Sequence, residues 1–224
     1  MIYLAADIHG QVRLPHLRTN LMRLDLSSDD YLIILGDAGI IWHGEGDREV
    51  IDFYNGLKCT TLFLDGNHEN FTLLNRYPVT NMFGGSVHRI SDKIIHLRRG
   101  ELFEIDRRRL FVFGGGFSSK KLTGASPVLI WDEEMPNDVD YRTGTTSVQR
   151  SRFSVDYVLT HEAPTKVARS MGLKVYDEEL PLTDYLQRIS EELDFRKWYF
   201  GHYHKDSSEG KYRCLHDPVI EIGE

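Results

Sequence analysis

Several side chains in this sequence are of types that hold divalent cations or move protons, and each follows closely on an apolar run. They are Asp7 and His9 in Asp7-Ile8-His9, Asp37 after Gly36, Asn67 and His68 in Gly66-Asn67-His68-Glu69, His161 after Thr160, and His202 and His204 in Gly201-His202-Tyr203-His204. Five of the chain's ten histidines are among them. Carboxylate, amide oxygen and imidazole donors without thiolates suit manganese, iron or zinc at a reactive centre, whereas a structural zinc site favours cysteine. Asp-x-His and His-x-His place two donors on the same side of an extended segment, so each pair can reach one metal. His68 adds a ring that gives or takes a proton near neutral pH. A single such histidine is ordinarily a satisfied polar residue. Five motifs in order, each behind a strand-like run, are not a chance pattern.

The runs that must position these groups read as strands: 2–6, 31–35, 60–64, 155–159 and 197–200. Between them, 14–26, 47–57, 145–153, 164–171 and 182–193 carry apolar residues at helical spacing, the last with Thr183 or Asp184 near its cap. Strands alternating with helices argue for an α/β fold with a parallel core, in which ligands collect at the carboxyl ends of strands. Short runs at 94–97, 101–105 and 110–113 read as hairpin strands, with Arg98-Arg99-Gly100 and Asp106-Arg107-Arg108-Arg109 as solvated basic turns. From Ser118 to Gly144 there is no clean period, so an irregular insert is expected at about 118–144 within a single domain spanning 1–224; Trp131 and Tyr141 argue for partial order. The tail, 212–222, supplies one or two closing strands.

Composition narrows the functional classes. The chain has 224 residues, 41% hydrophobic and 27% charged, in the range of ordinary globular proteins. Its 27 basic residues against 34 acidic ones give a net charge of −7. That argues against a general nucleic-acid surface, which needs cations to displace counterions, but leaves room for a small phosphorylated substrate held by metal charge. Cys59 and Cys214 lack CxxC spacing and read as buried thiols of a reducing compartment. The amino terminus lacks a basic stretch followed by a long apolar one, and no run of about 18 apolar residues occurs. A cytoplasmic protein with no membrane partner is expected; the sequence is silent on its oligomeric state.

Taken in order, Asp7-Ile8-His9, Gly36-Asp37, Gly66-Asn67-His68-Glu69, Thr160-His161 and Gly201-His202-Tyr203-His204 resemble the motifs of the calcineurin-like metallophosphoesterases, over nearly the whole chain. Gly114-Gly115-Gly116-Phe117-Ser118, Trp131-Asp132-Glu133-Glu134, Tyr77-Pro78-Val79 and Arg99-Gly100 are similar to those of small bacterial and phage members. Where these typically have an aspartate shortly after the Gly-Gly-aromatic-Ser run, this chain has Ser119-Lys120-Lys121. The resemblance implies a four-layer α/β/β/α sandwich of two facing mixed β-sheets flanked by helices, with a dinuclear site at the strand ends. By motif, Asp7, His9 and His204 would hold one divalent metal ion and Asn67, His161 and His202 a second, with Asp37 bridging. Manganese is the expected metal, with iron or zinc as alternatives.

The activity so implied is hydrolysis of a phosphodiester or phosphomonoester, a small nucleotide-like substrate being favoured, by attack of a metal-bridging hydroxide while His68 protonates the leaving group. Many phosphatases of the family carry Gly-Asp-x-x-Asp-Arg-Gly, whose later Asp orients the catalytic histidine and whose Arg grips phosphate. Here residues 36–44 read Gly-Asp-Ala-Gly-Ile-Ile-Trp-His-Gly, with neither. That weakens a protein Ser/Thr phosphatase reading and leaves Trp42 and His43 as substrate-facing candidates. A non-catalytic metal-binding interaction module on the same fold is the other alternative.

Overall fold

The computed structural model describes residues 1–119 and 130–223. Two sheets face each other. In the first, β1 (Ile2–Ala5), β2 (Tyr31–Leu35) and β3 (Thr60–Leu64) run parallel. A hairpin, β4 (Val79–Met82) and β5 (Gly85–Arg89), joins this sheet through β6 (Ile94–Leu97), which is parallel to β3. In the second sheet, β7 (Glu101–Ile105) and β8 (Arg108–Phe113) form a hairpin, followed by β9 (Tyr157–Thr160) and β10 (Lys197–Phe200), parallel to β8. Next come β11 (Ser207–Glu209) and β12 (Tyr212–Cys214). The last strand, β13 (Ile220–Glu221), returns to the first sheet, giving the orders β13-β1-β2-β3-β6-β5-β4 and β11-β12-β10-β9-β8-β7.

Both faces of the central strands are covered, which is why these strands are almost wholly apolar. Alternate side chains divide between two layers. Ile2, Leu4, Ile33, Leu35, Leu62 and Leu64 point between the sheets, onto Phe103, Leu110, Val112 and Leu159. Tyr3, Ala5, Leu32, Ile34 and Phe63 point outward onto α1 (Leu14–Leu21) and α2 (Arg48–Gly56) through Leu14, Leu17, Val50 and Tyr54. The second sheet's outer face packs on α4 (Asp138–Arg150), α5 (Thr165–Ser170) and α6 (Leu180–Glu192) through Val148, Val167, Leu182 and Leu186. A short α3 (Phe71–Leu74) follows the β3 loop. Each buried aliphatic side chain contributes about 1.5–3 kcal/mol, so the strands that carry the polar turns are the most firmly anchored parts of the chain.

Several boundaries differ from the sequence reading. The first helix ends at Leu21, with Met22 as its C-cap, and Leu26 continues over the same sheet face as irregular chain. The last helix begins at Leu180, so Thr183 is not a cap; it is buried and receives the Thr165 hydroxyl hydrogen bond at 2.8 Å. Residues 138–144 are not irregular. They open α4, whose first turn is closed by a capping box in which Asn137 accepts from Val139 and Asp140 while Asp140 accepts from Asn137. Asp132–Glu134 forms a 3₁₀ turn, and the part of the expected insert at 120–129, Lys120 and Lys121 included, lies outside the described residues. Arg98-Arg99-Gly100 is no solvated hairpin turn. It is the crossover from β6 in one sheet to β7 in the other, and the Arg99 side chain is 8% exposed.

Candidate metal centre

The parallel strands end level: Ala5 pairs with Ile34, Leu35 with Leu64, Phe113 with Thr160, and Leu159 with Tyr199. The polar turns after β1, β2, β3, β9 and β10 therefore leave at the strands' carboxyl ends, and their side chains meet. The backbone there is unusual. Asp7, His9, Asp37, His202 and His204 all have φ between 50° and 69°, a left-handed conformation that costs a non-glycine residue about 1–2 kcal/mol. Strain concentrated in this way is held by the surrounding structure and marks a site under functional constraint.

Local hydrogen bonds fix each group. His9 N donates to Asp37 O at 2.7 Å, His68 N to Asp37 Oδ1 at 2.7 Å, and His202 N to both Asp7 carboxylate oxygens at 3.1 Å. Gly36 and Gly66 lie where a Cβ would overlap the His161 ring or the Asp37 carboxylate; glycine permits this close approach.

The ring tautomers follow from their outer partners. His161 Nδ1 lies 2.8 Å from the carbonyl of Leu35, which can only accept, so Nδ1 carries the proton and Nε2 presents a lone pair. His202 Nε2 lies 3.0 Å from Glu162 Oε1, at ion-pair distance but outside hydrogen-bond geometry, and the tautomer with its proton on Nε2 turns a lone pair on Nδ1 inward. Asn67 Nδ2 donates to Ser118 Oγ at 2.9 Å, turning the amide oxygen inward. Three lone pairs consequently converge: Asn67 Oδ1 is 3.1 Å from His161 Nε2 and 3.0 Å from His202 Nδ1, and the two ring nitrogens are 3.3 Å apart. Acceptors at such distances repel unless a proton or a cation lies among them.

A second cluster adjoins the first. His9 Nε2 and His204 Nε2 are 3.2 Å apart, with Asp37 Oδ2 at 3.6 Å from the former and Asp7 Oδ1 at 3.8 Å from the latter. Ligand atoms of Asp7, His9 and His204 all lie within 4.8 Å of one another, and so do those of Asp7, Asp37 and His161. Asp37 thus faces both clusters, His9 on one side and His161 at 3.5 Å on the other. Burial opposes charge on His161, but Asp37 and Asp7 outweigh it and raise that ring, so a cation entering here takes the place of a proton. Burial opposes charge on Asp37, but His161, His9 and His68 outweigh it and bring the carboxyl down to about 2. Burial, reinforced by His161, pushes His202 down to about 4, and burial likewise lowers His9 and His204.

A family model described as calcineurin-like phosphoesterase matches residues 1–206. The chain belongs to the calcineurin-like phosphoesterase family. It is similar in fold to a candidate 5′-nucleotidase from Staphylococcus aureus, solved in complex with alpha-ketoglutarate, at a TM-score of 0.50 and 17% identity. The match covers 96% of this chain and 48% of that one, so this chain spans about half the neighbour's length. A phosphopantetheinyl hydrolase from Mycobacterium tuberculosis matches at a TM-score of 0.41 and 15% identity, over 96% of this chain and 87% of its own. No curated protein sequence matches. Both sheets are mixed and flanked by helices, as the sandwich expected from the sequence requires. The family implies divalent metal ions, and the clusters of acceptors in this chain fit them in donor type and arrangement.

All seven ligand candidates named from the sequence meet at this centre: Asp7, His9, Asp37, Asn67, His161, His202 and His204. The His68 ring is 5.5 Å from that of His9, and among the described residues no carboxylate forms an ion pair with it. His68 and His204 line two cavities, one of about 420 Å³ that also holds Trp42 and His43, the other of about 220 Å³ with Ser118, Lys174 and Tyr176.

Around the ligands lies a set of supporting residues. Glu162 backs His202, and Tyr203 Oη donates to Glu162 Oε2 at 2.7 Å. His216 stacks on His204 with centroids 4.8 Å apart, and its Nδ1 receives Arg13 at 2.9 Å. Asp65 accepts from His96 at 3.0 Å and Arg99 at 2.6 Å, and Arg99 also donates to the carbonyls of Glu133 and Glu134. Of these, Glu162, Tyr203 and Asp65 lie within two residues of His161, His202 and Asn67, whereas His96, Arg99 and His216 reach the site from other segments.

Proposed function

We infer that this chain is a dinuclear metal-dependent phosphoesterase acting on a small phosphorylated ester. The convergence of Asn67, His161 and His202 supports this reading most strongly, because an amide oxygen and two ring nitrogens 3.0–3.3 Å apart make a ligand set for a cation. Asp7, His9 and His204 would hold one ion, Asn67, His161 and His202 the other, and Asp37 would lie between. Hard oxygen and imidazole donors favour manganese, with iron or zinc also compatible. Two such ions, when bound, supply charge neutralisation at phosphoryl oxygens and acidify water.

The chain's own residues do the rest. Asp37, ionised by its histidine neighbours, brings negative charge to the centre of both clusters. Glu162 holds the His202 ring with Nδ1 inward. His68, open to both cavities, is placed to give a proton to the departing ester oxygen, a contribution of about 10²–10⁴-fold. The free thiols of Cys59 and Cys214, both buried, fit a reducing compartment and support a cytoplasmic location. No helix among the described residues is long and apolar enough to cross a membrane.

The test is hydrolysis of a chromogenic phosphodiester and a phosphomonoester after metal stripping and refilling with manganese. Turnover should depend on metal and drop by two to four orders of magnitude in His68→Ala, with metal content unchanged. The preferred ester then narrows the substrate class. Absence of turnover on both esters in a fully loaded protein would favour the non-catalytic module.

A further inference from the structure

Resting on the phosphoesterase reading, a second conclusion concerns what the ester carries. The larger cavity, about 420 Å³, shares His9, His68 and His204 with the metal centre, and it falls in the size range of small-molecule sites. Its lining includes Val12, Val50, Trp42 and three glycines, beside Gln11 and His43. Val12 is 79% exposed, unsupported by packing. None of the described lining residues is Lys or Arg, and the one carboxylate, Asp47, is already used, accepting from the backbone N–H groups of Trp42, His43 and Gly44 at 2.6–2.9 Å. A second anionic group placed here would lose its hydration without gaining a counterion.

Trp42 is held in advance. Asp47 takes its N–H, Asn70 Nδ2 donates to its carbonyl at 2.8 Å, and its ring meets Trp131 edge to face with centroids 5.4 Å apart. Trp131 is in turn fixed by its Nε1 hydrogen bond to Thr72 Oγ1 at 3.0 Å. A ring oriented before the ligand arrives loses little entropy on binding. On the opposite side of His68, the smaller cavity carries Lys174 and Ser119. The two sides of the centre are therefore chemically unlike.

We propose that the Trp42 cavity takes a flat, uncharged aromatic arm of the substrate, stacked on Trp42, while the phosphoryl group sits at the metal centre. The ligand class is an aryl-like or nucleobase-like phosphate ester, not a polyphosphate chain or a phosphorylated aliphatic side chain.

Phosphonates, whose P–C bond is not an ester and resists hydrolysis, separate this claim from catalysis. Calorimetric titration of the manganese-loaded protein with phenylphosphonate and methylphosphonate reads the arm alone. Phenylphosphonate should bind at least about tenfold more tightly, the scale of one aromatic stack. Trp42→Ala should bring the two within about twofold while leaving methylphosphonate unchanged, and Trp42→Phe should keep most of the preference. Val12→Asp, a change at an exposed position that the fold does not need, should also reduce phenylphosphonate binding selectively. Equal affinities in the wild type, with methylphosphonate bound, overturn the aromatic subsite and leave the phosphoesterase reading standing. An equal loss of both ligands in Trp42→Ala also overturns it. Failure of both ligands to bind the loaded protein overturns both readings.

Discussion

The Asn67 amide is oriented by Ser118, whose hydroxyl oxygen accepts from Asn67 Nδ2 at 2.9 Å across 51 residues of chain. Ser118 is itself tied down, its N–H donating to Glu134 Oε1 at 3.1 Å in the buried interior. Together they turn the amide oxygen, not the nitrogen, toward His161 and His202. Ser118→Ala removes the acceptor and frees the amide to rotate. Metal affinity at this position should fall about 10–100-fold, the usual effect of losing an outer partner of a ligand. Manganese titration of the stripped protein measures it, and the affinity of the other position should stay within a factor of about two.

Arg99 is the strut between this loop and the sheets. It pairs with the buried Asp65 and reaches the carbonyls of Glu133 and Glu134, just before the residue that holds Ser118 is complete. Burial opposes charge on Asp65, yet Arg99 and His96 hold its carboxyl well below the usual carboxylate range. Arg99→Met leaves that charge buried and half paired, so it should cost about 3–5 kcal/mol. In a chain of this size the melting temperature then falls by roughly 10 °C. Arg99→Lys should not restore it, because a single ammonium cannot serve Asp65 and two carbonyls in the geometry of a planar fork.

His88 on β5 supplies a pH dependence outside the metal centre. His96 Nε2 faces Asp65 at 3.0 Å and carries its proton there, so His88 Nδ1 donates to the bare His96 Nδ1 at 3.0 Å. Burial, then repulsion from His96 and Arg98, brings His88 down to about 4. A depressed folded-state value means that the unfolded chain takes up the proton first. Stability is whole above about pH 6.5 and is lost as pH falls from there through 4. The loss is at most about 3 kcal/mol by linkage, reduced to the extent that water screens the ring. Denaturant unfolding of metal-free protein at pH 7 and pH 4.5 should show it, and His88→Gln should flatten this share of the slope.

The ligands could be read from the sequence because each follows an apolar run at a strand's end, a local pattern. Their supports could not. Ser118 acts on Asn67 across 51 residues, Arg99 on Asp65 across 34, and Glu134 holds Ser118 across 16, and no local period records such a pairing. Arg99 looked like loop charge because it lies among arginines; its burial depends on where β6 and β7 change sheets. The sequence shows only the second half of the helix at 138–150, as the segment 145–153, because the side chains it buries are Gly144, Ser147 and Val148, hardly an apolar stripe. The β4–β5 hairpin was missed for a similar reason. Its turn places Phe83 at φ 56° ahead of Gly84, where Asn or Asp is the usual signal, and most of β4 is exposed.

The central claim is that the converging acceptors of the two clusters each hold a cation. The most direct measurement is elemental analysis of manganese-loaded, desalted protein, comparing the wild type with Asn67→Ala. Two ions per wild-type chain are expected and about one in the variant, the cluster of Asp7, His9 and His204 remaining filled. A wild-type chain that retains no metal, or an Asn67→Ala chain that still retains two with undiminished affinity, would contradict the account.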